Sequence, residues 1–531
     1  MSYTIYQNCS KCGSCLPHCS TSAIQRDNDG EFWIEPGLCT GCPDEGSQPE
    51  CVTRCPTQSI VPLPAKKGRY KAIERIVPSP DIFSNGTNNP FASSMVIWEG
   101  CNLLTSASIL PWTTDLNGKF YYQRPVKQGR GAMIFRLAAE LESTLSASPD
   151  TATESIFDVR SACLHLIYAA HAVALERPWE QEFIITDGQI ERYLGLEKRK
   201  DISKATKLSL IKTWVRQPCQ LEVAIDWPQQ GRVPGFTLPQ ERLWHLSEIQ
   251  HHFQKDESGY KYLTGLTFKI RAGNWSEYFL NKRGGRRRET FYQYGTLPKF
   301  LLTAVMSIWQ QHIGAARMML WLLFKTKVGR KQSITVPTLM RVAYGAEKIS
   351  RASGSREERK RLLRSFENDL EVLHHHGLKP QFDPVTYPPE IQPLWARLAD
   401  LPNDAEEAIA FWIDDGSSDR RLTDSSPRGK WNGLMKARIL SFDLPPEWAL
   451  PLAKFEQKKQ RKIAQKHRSK LKPMGLSGEQ ILKARKKRGI SQRALAQMTG
   501  KSQSWIRDLE NGRFSAKPQD QAILRRVLGL S

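Results

Sequence analysis

The stretch that decides the fold of the N-terminal segment is Cys9-Ser-Lys-Cys12-Gly-Ser-Cys15-Leu-Pro-His-Cys19, with the spacing C-x2-C-x2-C-x3-C. A second stretch follows as Cys39-Thr-Gly-Cys42, eight intervening residues and Cys51-Val-Thr-Arg-Cys55-Pro56. Eight of the eleven cysteines therefore precede residue 56. The N-terminus has no basic stretch followed by an apolar core, so we expect a cytoplasmic protein. Dense cysteine in that compartment indicates metal or redox chemistry rather than a disulfide framework.

This spacing resembles that of bacterial two-cluster ferredoxins, in which three closely spaced thiolates bind one cluster and the fourth binds the other. The resemblance covers residues 1–62 and implies two [4Fe–4S] clusters in a small α+β domain. The ligands that it implies for the first cluster are Cys9, Cys12, Cys15 and Cys55. Those that it implies for the second cluster are Cys39, Cys42, Cys51 and Cys19.

The second motif departs from the plain ferredoxin pattern in two ways. Eight residues separate Cys42 from Cys51 where the plain pattern has two, an insertion that ferredoxins associated with nitrogen fixation tolerate. The proline that follows Cys55 has no counterpart after Cys19, where Ser20 stands. A pair of zinc sites is the alternative, because four thiolates also suit zinc, although zinc modules rarely place four cysteines within eleven residues. The clusters could also be purely structural.

The charge is divided unevenly along the chain. Of the formal net charge of +23, residues 1–60 carry −4 and residues 451–531 carry +16. The segment 454–472 alone has nine basic residues and one acidic residue. A strongly basic C-terminal end indicates binding to a polyanion, and nucleic acid is the usual one. A solvated basic surface is the alternative.

The last sixty residues predict a helix-turn-helix. Ser477 and Gln480 form a capping box for a first helix, Ser491 caps a second helix from Gln492, and Ser502 caps a third. Gly500 supplies the left-handed conformation that the intervening turn requires. The string from Ser491 to Gly512, SQRALAQMTGKSQSWIRDLENG, resembles the Cro/repressor type of helix-turn-helix.

That resemblance implies that the third helix lies in the major groove and the second crosses the phosphate backbone. The residues implied to face base edges are Gln503, Ser504, Arg507 and Asp508. The residues implied to contact phosphate are Gln492, Lys501 and Arg513. An ordinary three-helix bundle is the alternative.

The rest of the chain gives weaker patterns. We expect a loop-rich connection over 63–154, a mainly helical middle over 155–400, a flexible and basic linker over 401–473 and the DNA-binding domain over 474–531. Two successions of short helix, longer helix and extended chain favour tandem winged-helix units in the middle. Segments 219–226 and 262–271 are expected to pair as strands. The fold class expected is multidomain and mainly α, with an α+β ferredoxin domain, a largely helical middle and an all-α C-terminal helix-turn-helix.

Sequences GxxxxGK[ST], GxGxxG and HExxH are absent, so neither a nucleotide-dependent machine nor a metallohydrolase is indicated, and we expect no enzymatic activity. A two-cluster ferredoxin, a long middle and a Cro-type helix-turn-helix together resemble the cyanobacterial CnfR/PatB family of regulators. The resemblance implies an oxygen- or redox-responsive activator of nitrogenase genes under low oxygen, known from heterocyst-forming species among others. It implies promoter DNA as partner, with RNA polymerase and a second copy of the chain as further candidates, and no membrane.

Two other classes of protein remain open. One is a DNA-processing or replication-type protein with structural clusters, and the other is a ferredoxin-linked electron-transfer protein. The second would need a further redox centre or substrate site, which the sequence does not indicate.

Overall fold

The computed structural model of the chain forms two compact units, Met1–Leu450 and Pro451–Ser531. It describes residues 3–26, 30–42, 48–64, 75–106, 110–138, 157–255, 260–287, 289–291, 293–329, 332–398, 404–417, 429–451, 453, 457 and 476–530. Within these ranges, no helix combines the length and apolar character needed to cross a membrane.

The N-terminal segment contains two antiparallel strand pairs around a small core. Tyr3–Ile5 pairs with Ile60–Pro62, and Ile24–Arg26 pairs with Phe32–Ile34. Because side chains alternate along a strand, Phe32 and Ile34 face the core of this segment while Trp33 faces the rest of the first unit. Both faces of this strand are therefore buried. The short helices of the segment are Leu16–His18 (3-10) and Glu50–Thr53.

Much of the connection predicted as loop-rich over 63–154 has regular structure, so that prediction is wrong for residues 88–106 and 113–137. A helix spans Met95–Ser106, and Gly131–Leu137 alternates buried and half-buried side chains as a strand with one covered face does. An antiparallel five-stranded sheet has the order Phe236–Arg242, Leu221–Trp227, Gly131–Leu137, Phe120–Val126 and Thr113–Thr114. Residues 65–74 and 139–156 lie outside the described ranges.

Residues 157–280 form a helix-and-strand unit, and the segment between its helices and its last two strands contributes Leu221–Trp227 and Phe236–Arg242 to the five-stranded sheet. Its element order is Val159–Ala174 (helix), Glu182–Thr186 (strand), Asp187–Leu194 and Lys204–Arg216 (helices), and Trp244–Lys255 and Lys261–Ala272 (strands). The last strand lies between the other two in an antiparallel sheet. This is the connectivity of a winged helix, and we call residues 157–280 the first winged-helix unit. The expected pairing of 219–226 with 262–271 is wrong, because Leu221–Trp227 belongs to the five-stranded sheet.

A second segment further along the chain has a similar order, with three helices instead of two between its first and second strands. Its elements are Ile313–Gly329 (helix), Ile334–Thr335 (strand), Val336–Tyr344, Ala346–Gly354 and Arg356–His375 (helices), and Lys379–Phe382 and Arg438–Asp443 (strands). Arg438–Asp443 is the central strand of the sheet and follows a short helix, Lys430–Leu434. The flexible linker predicted for 401–473 is therefore wrong for 405–417, which forms a helix, and for 430–443. Most of the basic segment 454–472 lies outside the described ranges.

The remaining elements belong to the first compact unit, Met1–Leu450. Asn88–Ala92 pairs with Tyr294–Pro298 in an antiparallel ribbon. The further α-helices are Trp275–Leu280, Lys282–Arg287, Lys299–Ile308, Leu394–Leu398 and Ala405–Ser417. The further 3-10 helices are Leu196–Lys198, Gln217–Gln220 and Pro389–Ile391.

The middle of the chain is mixed α/β, so the prediction of a mainly α fold with a largely helical middle is wrong. The described residues there form sheets of five, three, three and two strands. Lys261–Ala272 explains part of the error, because most of its side chains are buried on both faces. Periodicity does not distinguish such an apolar run from a buried helix.

The second compact unit contains the predicted helix-turn-helix. Its helices are Gly478–Lys487, Gln492–Thr499, Gln503–Glu510 and Pro518–Leu528. The capping box of Ser477 with Gln480 and the caps at Ser491 and Ser502 are present, and Gly500 has a φ of 68°. The core of the unit is formed by Ile481, Leu495, Ile506, Leu509, Leu524 and Leu528.

Candidate cluster-binding and DNA-binding sites

The cysteines of the N-terminal segment lie on loops that depend on left-handed residues. Lys11 and Gly13 have φ values of 57° and 75°, which fold the chain back between the first three cysteines. Gly41 and Cys42 have φ values of 78° and 47° in the second motif. Left-handed residues are costly except for glycine, and such strain is characteristic of loops that a site holds in place.

Electrostatic interactions divide the cysteines into two neighbouring sets. Burial raises the pKa of the Cys15 thiol, and the nearby thiolates that raise it further are Cys55, Cys9 and Cys12. Burial raises the pKa of Cys51 to about 11, and the nearby thiolates that add to it most are Cys19, Cys42 and Cys39. Each set contains the fourth cysteine of the opposite motif. The ligand sets that the ferredoxin resemblance implies contain the same cysteines, and their assignment to two clusters stays a prediction.

The two crossing cysteines have matching surroundings. The backbone N–H of Ala23 donates to Cys19 Sγ at 3.1 Å, and that of Ser59 donates to Cys55 Sγ at 3.3 Å. The hydroxyls of Thr21 and Thr57 lie 3.7 and 3.6 Å from these two sulfur atoms. The chain therefore has the same local geometry after Cys19, where Ser20 stands, as after Cys55, where Pro56 stands. The absence of a proline after Cys19 does not disturb the correspondence between the two motifs.

The donor set fits iron–sulfur clusters. Four thiolates on one zinc ion would each lie about 2.3 Å from it. Eight thiolates in two sets, with backbone N–H groups donating to Cys9, Cys19 and Cys55, are instead the donors and hydrogen bonds typical of cubane clusters. All eight are free thiols, as are Cys101, Cys163 and Cys219, which are buried elsewhere.

The helix-turn-helix presents part of its predicted reading surface to solvent. Gln503, Ser504 and Arg507 are exposed on the third helix, whereas Ile506 and Leu509 face the core. The third helix therefore has its apolar side inward and polar side chains outward, as a helix that enters a groove requires.

The other predicted DNA contacts have partners within the unit. Asp508 accepts a hydrogen bond from Arg513 at 3.0 Å, and Lys501 pairs with Asp520 at 2.8 Å. The Gln492 amide donates to Glu510 at 2.8 Å, so its side chain is directed into the unit. The half-buried Asp508 is thus placed to orient Arg513.

Sequence reasoning missed the ion pair that ties the helices together. Arg485 donates to both carboxylate oxygens of Glu510, at 2.6 and 3.0 Å, and both residues are buried. Burial opposes ionisation of Glu510, but hydrogen bonds from Arg485 and Gln492 lower its pKa overall. The sequence did contain a signal for this pair, because Arg485 is a basic residue on the apolar side of an amphipathic helix.

Comparisons with known proteins match both ends of the chain. The helix-turn-helix family matches residues 481–531, which supports binding to double-stranded DNA. A ferredoxin-like protein in nif region from Trichormus variabilis is 43% identical over 58 residues, covering 11% of this chain and 50% of that protein. The chain therefore spans about half the length of this relative.

Two further matches cover more of the other protein. A solved structure of RctB domains 2-3 aligns with 51% of this chain and 83% of its own, at 12% identity and a TM-score of 0.28, which supports no inference. Ferredoxin-3 of Chlorobaculum tepidum is 36% identical over 61 residues, covering 12% of this chain and 97% of that protein. Because nearly the whole of that relative is matched, the chain belongs, through its N-terminal segment, to the ferredoxin family.

Proposed function

We propose that this protein is a sequence-specific transcriptional regulator of the CnfR/PatB type, which senses oxygen or redox state through two [4Fe–4S] clusters. One observation carries the proposal: a single chain combines eight cysteines with ferredoxin-like spacing and a helix-turn-helix that exposes Gln503, Ser504 and Arg507 on its third helix. No enzymatic activity forms part of the proposal.

The first set would hold one cluster through Cys9, Cys12, Cys15 and Cys55, and the second would hold the other through Cys39, Cys42, Cys51 and Cys19. When bound, such clusters supply a redox-active centre whose potential depends on hydrogen bonds to sulfur and on exposure to solvent. The chain provides both, because N–H groups of Lys11, Ala23 and Ser59 donate to the thiolates. Cys12 is exposed, which gives small oxidants access to the first set.

The strand pairs of this segment bury few apolar side chains, and the cysteines themselves form part of the core. Binding of the clusters therefore contributes to the free energy of folding of this segment. Without its clusters, the segment loses the centre around which it folds. This gives an order-to-disorder change that could alter the rest of the regulator.

The similarity to ferredoxin-like proteins in nif regions supports nitrogen-fixation genes as targets. We propose activation of these genes under low oxygen, through promoter DNA, with RNA polymerase and a second copy of the chain as further partners. Loss of the clusters in air would end activation.

The test begins with anaerobic purification of the full chain, followed by iron and sulfide assays. About eight irons per chain are expected. Binding to candidate nitrogenase promoters and transcription in vitro are then compared before and after exposure to air. Loss of either activity in air supports the sensor, whereas eight irons with air-insensitive promoter function would contradict it.

A DNA-processing or replication-type protein with structural clusters is the second candidate. Two successive segments with winged-helix connectivity favour it, because such units occur where a protein grips duplex DNA at several places. Preference for a forked or bent duplex over a promoter of equal length would distinguish this candidate from the regulator.

A further inference from the structure

The first winged-helix unit has a helix in the position that usually enters a DNA groove. Lys204–Arg216 is the second helix of its helix-turn-helix, and it packs on the unit through Leu208, Ile211 and Trp214, all buried. Ser209 and Arg216 lie on its opposite side, and Lys212 borders that side. In helix-turn-helix proteins this outward face of the second helix reads the major groove.

The ferredoxin segment, residues 3–64, covers this face. Glu35 Oε2 accepts from Lys212 Nζ at 2.5 Å, and the same ammonium lies 4.8 Å from the Trp33 ring centroid. Gly37 approaches the helix so closely that a Cβ there would lie 1.7 Å from Ser209 Oγ. Glycine is therefore needed at position 37 for this contact.

The ferredoxin segment also covers the strand pair of the unit. Trp33 packs against His251 and Phe253, with ring centroids 4.7 and 5.4 Å apart. Glu31 accepts from Lys261 Nζ at 3.0 Å. In a winged helix these two strands form the wing, which contacts DNA beside the groove-bound helix. One segment thus covers both parts of the surface.

The ion pairs across this interface place the carboxylates on the ferredoxin segment and the lysines on the winged-helix unit. Carboxylates of Glu31 and Glu35 engage Lys261 and Lys212 where phosphates would engage them, in a segment with a net charge of −4 over residues 1–60. Three exposed cations flank the helix in sequence: Lys198 and Lys200 precede it, and Arg216 ends it. Lysine and arginine side chains beside a groove-reading helix supply the phosphate contacts of DNA-binding proteins.

The packing of this interface is compatible with separation. A cavity of about 390 Å³ remains between the two parts, lined by Tyr3, Trp33, Pro36, Lys204, Phe253 and Lys261. Beside the packing of Trp33, the contact includes the buried ion pair of Lys212 with Glu35, and such a pair contributes little net stability compared with apolar packing.

We propose that the helix Lys204–Arg216 and the strands Trp244–Lys255 and Lys261–Ala272 form a second duplex-DNA-binding face, which the ferredoxin segment covers with carboxylates in place of phosphates. Departure of that segment exposes the face. This binding activity is additional to that of the C-terminal helix-turn-helix and does not depend on it.

The test uses the full chain with its C-terminal reading residues removed by Gln503→Ala, Ser504→Ala and Arg507→Ala. Two substitutions, Gly37→Leu and Trp33→Ser, are then introduced one at a time into this background. Each is intended to detach the ferredoxin segment from the helix Lys204–Arg216. Gly354→Leu is the matched control, because nothing lies within 4 Å of a Cβ at that position. Iron content verifies that the clusters persist, and hydrogen exchange of residues 204–216 reports exposure of the helix.

Affinity for a random-sequence 20-base-pair duplex is measured as a function of salt. We expect each separating substitution to raise affinity at least about tenfold and to steepen the salt dependence by one or more phosphate contacts. Adding Lys212→Glu with Arg216→Glu should abolish the gain, whereas Arg356→Glu with Lys360→Glu, at exposed sites on another helix, should leave most of it.

Three results would overturn the proposal. One is exposure of the helix Lys204–Arg216 without a gain in affinity for the duplex. Another is an equal loss of affinity from Lys212→Glu/Arg216→Glu and from Arg356→Glu/Lys360→Glu. The third is unchanged hydrogen exchange in both separating variants and in cluster-free protein, since the face would then never become available. Because the duplex is random and the C-terminal reader is disabled, these results are independent of promoter recognition.

Discussion

Lys212 and Glu35 form an ion pair with Nζ and Oε2 2.5 Å apart, and their side chains are only 6% and 3% exposed. The pair joins the helix Lys204–Arg216 to the residue that follows the strand Phe32–Ile34. The backbone carbonyl of Glu35 also accepts from the N–H of Cys39 at 3.0 Å, so the pair lies one turn from a thiol of the second set. The backbone from Glu35 to Cys39 thus connects this ion pair directly to the second set of cysteines.

Lys212→Met is expected to destabilise the first unit by about 3–5 kcal/mol, because it leaves a buried carboxylate without its partner. Glu35 Oε1 already has no hydrogen-bond partner among the described residues, so no second contact compensates. Denaturant unfolding of the anaerobic protein, followed by tryptophan fluorescence, measures the change. The double variant Lys212→Met/Glu35→Gln should recover much of the loss, and equal stability of the two variants would contradict the pairing.

Substitution of cysteines should separate the two sets by their spectra. Cys19→Ser is expected to perturb the same cluster as Cys39→Ser, and Cys55→Ser the same cluster as Cys9→Ser, because the fourth ligand crosses between motifs. Electron paramagnetic resonance of the reduced protein, together with iron content, provides the measurement. Cys219→Ser, at a buried cysteine outside both sets, is the control and should leave about eight irons. A Cys19→Ser spectrum that matches Cys15→Ser would contradict the crossed arrangement.

The two ends of the chain were predictable because their constraints are local. Cysteine spacing determines which thiols can share a cluster, and the caps at Ser477, Ser491 and Ser502 mark helix starts within a few residues of sequence. The middle was less predictable for the opposite reason. The strand Arg438–Asp443 pairs with residues about 60 and 100 positions earlier, and its sequence gave no sign of them. The role of Trp33 likewise depends on His251 and Phe253, more than 200 residues away.

The stability of the C-terminal unit should fall in acid through Glu510. Hydrogen bonds from Arg485 and Gln492 outweigh the effect of burial and hold the pKa of this carboxyl below its ordinary value. A carboxyl with a lowered folded-state pKa stabilises the fold fully above the unfolded pKa of about 4.3, and this stabilisation is lost as pH falls through the folded pKa. Thermal unfolding of the C-terminal unit between pH 7 and pH 3 measures the loss. Glu510→Gln should be less stable at pH 7 and less dependent on pH below 5, whereas Glu479→Gln, at an exposed carboxylate that pairs with Lys483, should show the same trend to a much smaller extent.

Arg507 and Lys501 should affect DNA binding differently, because one is exposed on the third helix and the other is paired at its start. Arg507→Ala is expected to weaken binding to the preferred promoter about 10- to 100-fold and to relax specificity at one base pair, as loss of a base contact does. Lys501→Ala should weaken binding to all sequences alike and by less, since Lys501 already pairs with Asp520 at 2.8 Å. Competition between the promoter and single-base variants, repeated over a range of salt, separates the two effects. Arg526→Ala, an exposed cation on the last helix, is the control. If Arg507→Ala reduced binding to every duplex equally, Arg507 would contact the DNA phosphates and not the base edges.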